Sequence, residues 1–243
     1  MRSVRGRMAS GPRLLKNRLL PQGTRLRTIS LGIARGVVVP LDFSHNTRLY
    51  FGLYEVELNR FLRAFCSPGL RSFDVGALIG YDALVLARLT AAPVISFEAD
   101  AVFAERLGTT FAANGELGAL ISVRHATIGR SSERDGALAL DDVAFSEGLV
   151  PGLIKIDIDG GEVDALAGAQ RILREARPHL IVETHSAELE RACALLMRHA
   201  GYRPKIVHQR QLWPEFGRSA HNRWLVAEGT PQVPSPRSLE APR

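Results

Sequence analysis

Four short stretches of this 243-residue sequence place acids, glycines and a histidine at spacings that could do chemistry: "FDVGALIG" (73–80), "VISFEAD" (94–100), "KIDIDGGE" (155–162) and "VETH" (182–185). In the first, Asp74 precedes Gly76 and Gly80, separated by Ala77, Leu78 and Ile79. Glycines there let the backbone approach a ligand closely, and a helix opening at Gly80 presents amide donors. Glu98 lies in the second stretch, 18 residues beyond Gly80. A carboxylate at that distance can accept both hydroxyls of a ribose. Together these two turns point to a nucleoside-containing ligand. The turn reads D-x-G-x-x-x-G rather than the G-x-G-x-x-G of dinucleotide sites. An acid at Asp74 repels a pyrophosphate and suits a ligand that carries an ammonium, which favours S-adenosylmethionine over NAD.

The third stretch concentrates charge. Lys155 and Asp157 fall in an apolar run that reads as a buried strand, where unpaired charges are costly, so they are expected to pair or to face a cleft. Asp159 and Glu162 flank "GG" at a helix start, where acids cap amides and complement the helix dipole. His185 stands two residues after Glu183. An imidazole has the right unperturbed pKa for a general base near neutrality, and a hydroxyl acceptor must lose a proton as it is methylated.

These residues need elements to hold them. From Leu70 onward, short runs rich in Val, Ile and Phe ("RSFDV", "PVISFEA", "LISVRHA", "GLIKIDI", "HLIVETH") alternate with helical patterns near 80–90, 101–114, 137–145, 161–177 and 186–200. That rhythm predicts a parallel sheet covered on both faces. "PKIVHQRQLW" and "NRWLVAE" follow with no helix between them and are expected to close one edge as an antiparallel pair. Upstream, "YEVELNRFLRAF" reads as a helix, and "GVVVPLDF" and "TRLYFGL" as two strands around "SHNT". In such a sheet, ligands bind beyond the carboxyl ends of the strands.

Net charge is +6, yet residues 1–41 hold nine basic side chains and no acid, so the remainder is net acidic. Residues 1–35 are therefore expected to form a basic, poorly ordered extension. The Pro-rich stretch 229–243 is expected to be disordered, and 36–228 to be the folded domain. No run approaches the ~20 apolar residues of a membrane span. Nothing shows the aromatic interleaving of a nucleic-acid platform. Cys66 and Cys193 sit in apolar helical patterns and read as free thiols, which fits a reducing cytoplasm. No Cys/His cluster suggests a metal.

"YEVELNRFLRAFCSPGLRSFDVGALIGYDALVLARL", "VISFEAD", "LIKIDIDGGEVDALAGAQRIL" and "PHLIVETH" resemble, in order and spacing over roughly 47–228, the FkbM family of methyltransferases. The resemblance implies a Rossmann-like class I methyltransferase fold, a mostly parallel seven-stranded sheet with an antiparallel C-terminal strand pair. It also implies S-adenosylmethionine as donor and a hydroxyl on a sugar, glycan or polyketide-like small molecule as acceptor. On this reading Asp74, Gly76, Ala77, Gly80 and Glu98 hold the donor, with Ala126 and Thr127 beside its adenine. Asp157, Glu183 and His185 handle the acceptor. Two positions depart from the family pattern: Leu78 stands where D-V-G-A-N-x-G has Asn, and Asp159 where K-I-D-x-E-G has Glu. A non-catalytic nucleoside-binding domain and an NAD-dependent oxidoreductase are the competing readings.

Overall fold

The computed structural model describes residues 23–44, 46–131, 137–209, 221 and 223–231. The chain divides into two compact units between Tyr54 and Glu55. In the first, strand β1 (Arg25–Thr28) pairs antiparallel with β2 (Val38–Leu41), Arg25 facing Leu41. Ile29, Val37, Val39 and Leu41 are buried. Residues 25–28 lie within the stretch expected to be poorly ordered; residues 1–22 of it fall outside the described residues.

The expected strand over "TRLYFGL" is instead helix α1 (Thr47–Tyr50). The reason is local. The Asp42 carboxylate accepts the Ser44 amide at 2.8 Å and the Ser44 hydroxyl at 2.6 Å, while the Asn46 amide donates to the Asp42 carbonyl at 2.7 Å. An Asx turn of this kind closes the chain into a helical start and leaves no hairpin. The strand partner of β2 is therefore β1.

The second unit contains helix α2 (Asn59–Phe65), then β3 (Ser72–Val75), α3 (Tyr81–Thr90), β4 (Val94–Glu98), α4 (Ala101–Ala112), α5 (Gly115–Ala119), β5 (Ile121–His125), α6 (Leu140–Ser146), β6 (Leu153–Ile156), α7 (Glu162–Ala167), α8 (Gln170–Glu175), β7 (His179–Thr184), α9 (Ala187–His199), β8 (Lys205–His208) and β9 (Arg223–Ala227). The sheet order is β5-β4-β3-β6-β7-β9-β8. β3 to β7 run parallel, and β9 enters antiparallel between β7 and β8.

Side chains alternate along each strand, so one sheet face is apolar and the other carries polar groups. Phe73, Val75, Ile95, Phe97, Ile154, Ile156, Leu180 and Val182 form the apolar face, with Leu140, Leu166, Ile172 and Cys193 of the helices packed on it. Phe73 meets Phe97 edge-on at 5.4 Å. On the opposite face Asp74 stands in register with Ser96 on one side and Lys155 on the other.

The single helix expected over 161–177 is two. The Asp141 carboxylate accepts the amides of Arg171 and Ile172, both at 2.8 Å, and so starts α8 afresh. Gly168, at the break, packs against the Gly129 carbonyl with no room for a side chain. Gly229 and Thr230, at the start of the expected tail, donate to His179 Nδ1 and the Arg177 carbonyl, at 3.1 and 2.8 Å. Residues 232–243 lie outside the described residues. Cys66 and Cys193 are free thiols. Among the described residues no helix is long and apolar enough to cross a membrane.

Candidate functional site

The carboxyl ends of β3, β4, β6 and β7 converge on one edge, and the glycine turn lies at its centre. Gly76 has φ +96° and Gly80 φ +81°, conformations that L side chains rarely adopt. A side chain on Gly76 would overlap the Asp157 carbonyl oxygen, so glycine is what lets the two turns meet. The Gly76 and Ala77 amides donate to the Phe97 carbonyl at 2.9 and 3.1 Å, which ties the turn to β4. No side chain caps the N-terminus of α3.

Glu98 is buried and organises this corner. Its Oε2 accepts the Leu78 amide at 2.8 Å and its Oε1 the Asp100 amide at 2.9 Å. Each oxygen keeps a lone pair, so the carboxylate can still accept two hydroxyls. Leu78 contributes through its backbone. Its φ is +46° and its side chain is half exposed, so it projects away from the turn. Ala126 follows β5 and its amide donates to the Glu98 carbonyl at 2.9 Å; Thr127, exposed, is next to it.

Asp74 differs from expectation. It is only 1% exposed, and its Oδ2 accepts the Ser96 hydroxyl at 3.2 Å. Burial, then the Asp82 charge, push its carboxyl up to about 7, against the pull of Lys155. It lies beneath the turn and supports it. The acids nearer the opening surround Lys155, whose Nζ donates to Asp82 Oδ2 at 2.8 Å and Asp157 Oδ2 at 3.3 Å, with Glu55 Oε2 at 3.7 Å. Asp82 and Glu55 drew no attention in the sequence. Asp82 sits in the first turn of α3, where an acid reads as a dipole partner, and nothing local marks Glu55.

The second half of the site is a chain of acids around an imidazole. His185 Nδ1 donates to Glu162 Oε1 at 2.8 Å, and its Nε2 lies 3.1 Å from Asp159 Oδ1 and 3.8 Å from Asp157 Oδ1. Glu162 is fully buried, whereas Asp159 is almost fully exposed. The Glu162 hydrogen bond, opposed by burial and reinforced by Glu183, Asp157 and Asp159, raises the imidazole to about 9. The surrounding acids thus favour the imidazolium form of His185. Glu183, two residues upstream, is itself a raised carboxyl. Burial, then the charge of Asp157, lift it to about 7. Trp224 Nε1 donates to its Oε2 at 3.2 Å. Asp157, Glu183 and His185 present ligand-type atoms within 4.8 Å of one another, a donor set of the kind that can hold a metal ion. Here both imidazole nitrogens face carboxylates, and the group closes as an ion pair.

The strand order, the reversed β9 and the glycine turn beside an acid-tipped β4 define a Rossmann-like methyltransferase fold. The family model described as the methyltransferase FkbM domain matches residues 136–204, the stretch that carries Asp157, Glu162, Glu183 and His185. The resemblance to FkbM methyltransferases read from the residues holds over that stretch. Among solved structures, the chain is similar to an FkbM methyltransferase from Methylobacillus flagellatus KT (19% identity, TM-score 0.49, 74% of this chain and 53% of that one). It thus spans about half the length of that protein. It is also similar to an S-adenosylmethionine-dependent O-methyltransferase from Thermotoga maritima (13%, TM-score 0.52, 74% and 67%). A third is the precorrin-6y C5,15-methyltransferase from Geobacter metallireducens GS-15 (12%, TM-score 0.50, 73% and 87%). Comparison with curated proteins returns no match.

Proposed function

We propose that the chain is an S-adenosylmethionine-dependent O-methyltransferase acting on a hydroxyl of a sugar, glycan or polyketide-like small molecule. The single observation that carries this reading is the Asp157–Glu183 pair. Glu183 is a buried carboxyl raised to about 7 beside the more open Asp157, and Asp157 adjoins the Gly76 turn. A base for a hydroxyl needs a pKa near the operating pH and a position next to the donor turn.

The residues fit the donor. Gly76 and Gly80 let the turn close tightly against the Asp157 carbonyl and the Phe111 ring, and Glu98 keeps acceptor capacity for the ribose hydroxyls. Ala126 and Thr127 lie where the strand-end loop would border the adenine. The bound donor supplies the electrophilic methyl group. Asp157, at the mouth, accepts the acceptor's hydroxyl hydrogen and aligns its oxygen. Glu183 shares the proton with Asp157 as it leaves the hydroxyl. His185, fixed by Glu162, holds the turn over 157–162 with its positive charge and limits repulsion among the acids. In-line positioning of the reacting groups supplies most of the rate.

The test is incubation of the protein with S-adenosylmethionine labelled in the methyl group and extracts fractionated by polarity. A labelled neutral product whose methyl is stable to base, as an ether is, supports the reading. Label on nitrogen or carbon, or no labelled product from any fraction, overturns it.

A further inference from the structure

Two glycines bring two turns of the first compact unit together. A side chain on Gly52 would overlap the Leu31 carbonyl, and one on Gly32 would lie 2.8 Å from the Gly52 carbonyl oxygen. The seam is hydrogen-bonded as well. The Tyr50 carbonyl accepts the Ser30 amide at 3.0 Å and the Ser30 hydroxyl at 2.8 Å, and the Leu53 amide donates to the Arg48 carbonyl at 2.9 Å. One turn connects β1 to β2, and the other follows α1.

What this joined pair exposes is apolar. Leu31 is 54% exposed, and Phe51 and Leu53, on either side of Gly52, are each 47% exposed. Three such side chains on two touching turns leave apolar area in water that a partner could cover. Phe51 is braced by a ladder of rings. It meets Tyr50 edge-on at 5.1 Å, Tyr50 meets Phe43 edge-on at 5.0 Å, and the Arg27 guanidinium lies over Phe43 at 4.1 Å. A tip held in this way loses little further freedom on docking.

The charge around it has one sign. Arg35, whose amide donates to the Gly32 carbonyl, belongs to the first turn and Arg48 to the second. Residues 1–54 hold ten basic side chains against one acid, Asp42, and that carboxylate already accepts the Ser44 amide and hydroxyl. The rest of the chain is net acidic.

We infer that these two turns dock the protein on an anionic lipid bilayer, with Leu31, Phe51 and Leu53 entering the boundary between headgroups and acyl chains and the basic side chains meeting lipid phosphates and carboxylates. Apolar anchors and positive charge each bind a membrane weakly and reinforce one another when they share a face. A nucleic acid would use the charge and leave the two leucines in water. A protein partner would need a surface shaped to the tip, whereas a fluid bilayer needs no matching shape.

The experiment sediments the full-length chain with vesicles of phosphatidylcholine alone and of phosphatidylcholine with about a third phosphatidylserine. Wild type should prefer the anionic vesicles about tenfold or more, and the preference should shrink as salt rises. The triple variant Leu31→Ser, Phe51→Ser, Leu53→Ser should lose about tenfold or more of that affinity while melting as wild type does, because all three side chains are half exposed. Arg35→Gln with Arg48→Gln should lose about tenfold. Phe51→Trp, which keeps the anchor, should bind as wild type does, and its added emission should be quenched by lipids brominated in the acyl chain. Undiminished binding by the triple variant would show that charge alone holds the protein, and an unquenched indole in Phe51→Trp that the tip stays out of the bilayer; either overturns the inference. So does failure of wild type to bind anionic vesicles, whether gel shifts show the tip holding DNA or RNA instead or sedimentation velocity shows it joining two copies of the chain.

Discussion

The amide of Leu78 donates to Oε2 of Glu98 at 2.8 Å, which joins the glycine turn after β3 to the acid that ends β4. The bond uses the backbone of residue 78 and is indifferent to its side chain. What the side chain does change is the cost of the conformation. At φ +46° a leucine pays about 1 kcal/mol that Asn, which tolerates this region better, partly avoids. Leu78→Asn should therefore raise the melting temperature by a few degrees and leave donor affinity within about threefold. A loss of donor affinity beyond tenfold would show that the leucine side chain packs on the ligand.

Gly76→Ala tests the contact between the two central turns. Its methyl group would overlap the Asp157 carbonyl oxygen, and φ +96° is strained for any side chain. We expect destabilisation of about 2 kcal/mol or more, with donor binding abolished. Near-normal melting and binding in this variant would mean that the turns do not touch in solution.

Turnover should separate the acids. Glu183→Gln and Asp157→Asn should each lower kcat by roughly 100- to 10,000-fold while donor binding persists. His185→Ala should lower it less. If His185→Ala is the most damaging of the three, with a rate that rises around pH 6–7 in the wild type, the imidazole and not Glu183 is the base.

Glu162→Gln removes the anion behind His185. The imidazole, held at about 9 chiefly by that hydrogen bond, should fall toward its ordinary 6.5. Titration of the His185 ring resonances by NMR reads this directly, and an unchanged midpoint would mean that Asp157 and Asp159 suffice to hold the charge.

Stability should fall as pH rises from about 5 to 9. Asp74 and Glu183 ionise at 3.8 and 4.5 in the unfolded chain but only near 7 when folded. The folded state therefore holds extra protons between those values and loses ground as pH climbs through them. His185 acts in the same direction: its stabilisation is complete below 6.5 and gone above about 9. Melting temperatures at pH 5, 7 and 9 check the slope. Asp74→Asn should flatten its lower half, because an amide can still accept from Ser96 and has no charge to desolvate.

The strands, the glycine turn and Glu98 were legible in the sequence because their signals are local: period-two apolar runs, glycines at a fixed offset, an acid at a strand end. The roles of Glu162 and Asp74 were not. Glu162 reads as a helix-start acid because its partner, His185, is 23 residues away. Asp74 reads as a ligand contact because register alone, which sets it between Ser96 and Lys155, reveals that it is covered. Glu55 faces Lys155, 100 positions downstream, and no spacing announces it. "TRLYFGL" misled in the other direction: its β-forming residues yield to an Asx turn a few positions earlier.

The insertion of β9 between β7 and β8 has a consequence in time. Trp224, fully buried on β9, is the residue that donates to Glu183, 41 positions upstream. During synthesis, β3 to β7 can meet while the last strand is still inside the ribosome, but β8 has no neighbour to join until β9 arrives. The surroundings of Glu183 are thus the last part of the site to be finished. A nascent chain halted before residue 223 would carry the glycine turn without the tryptophan that holds Glu183.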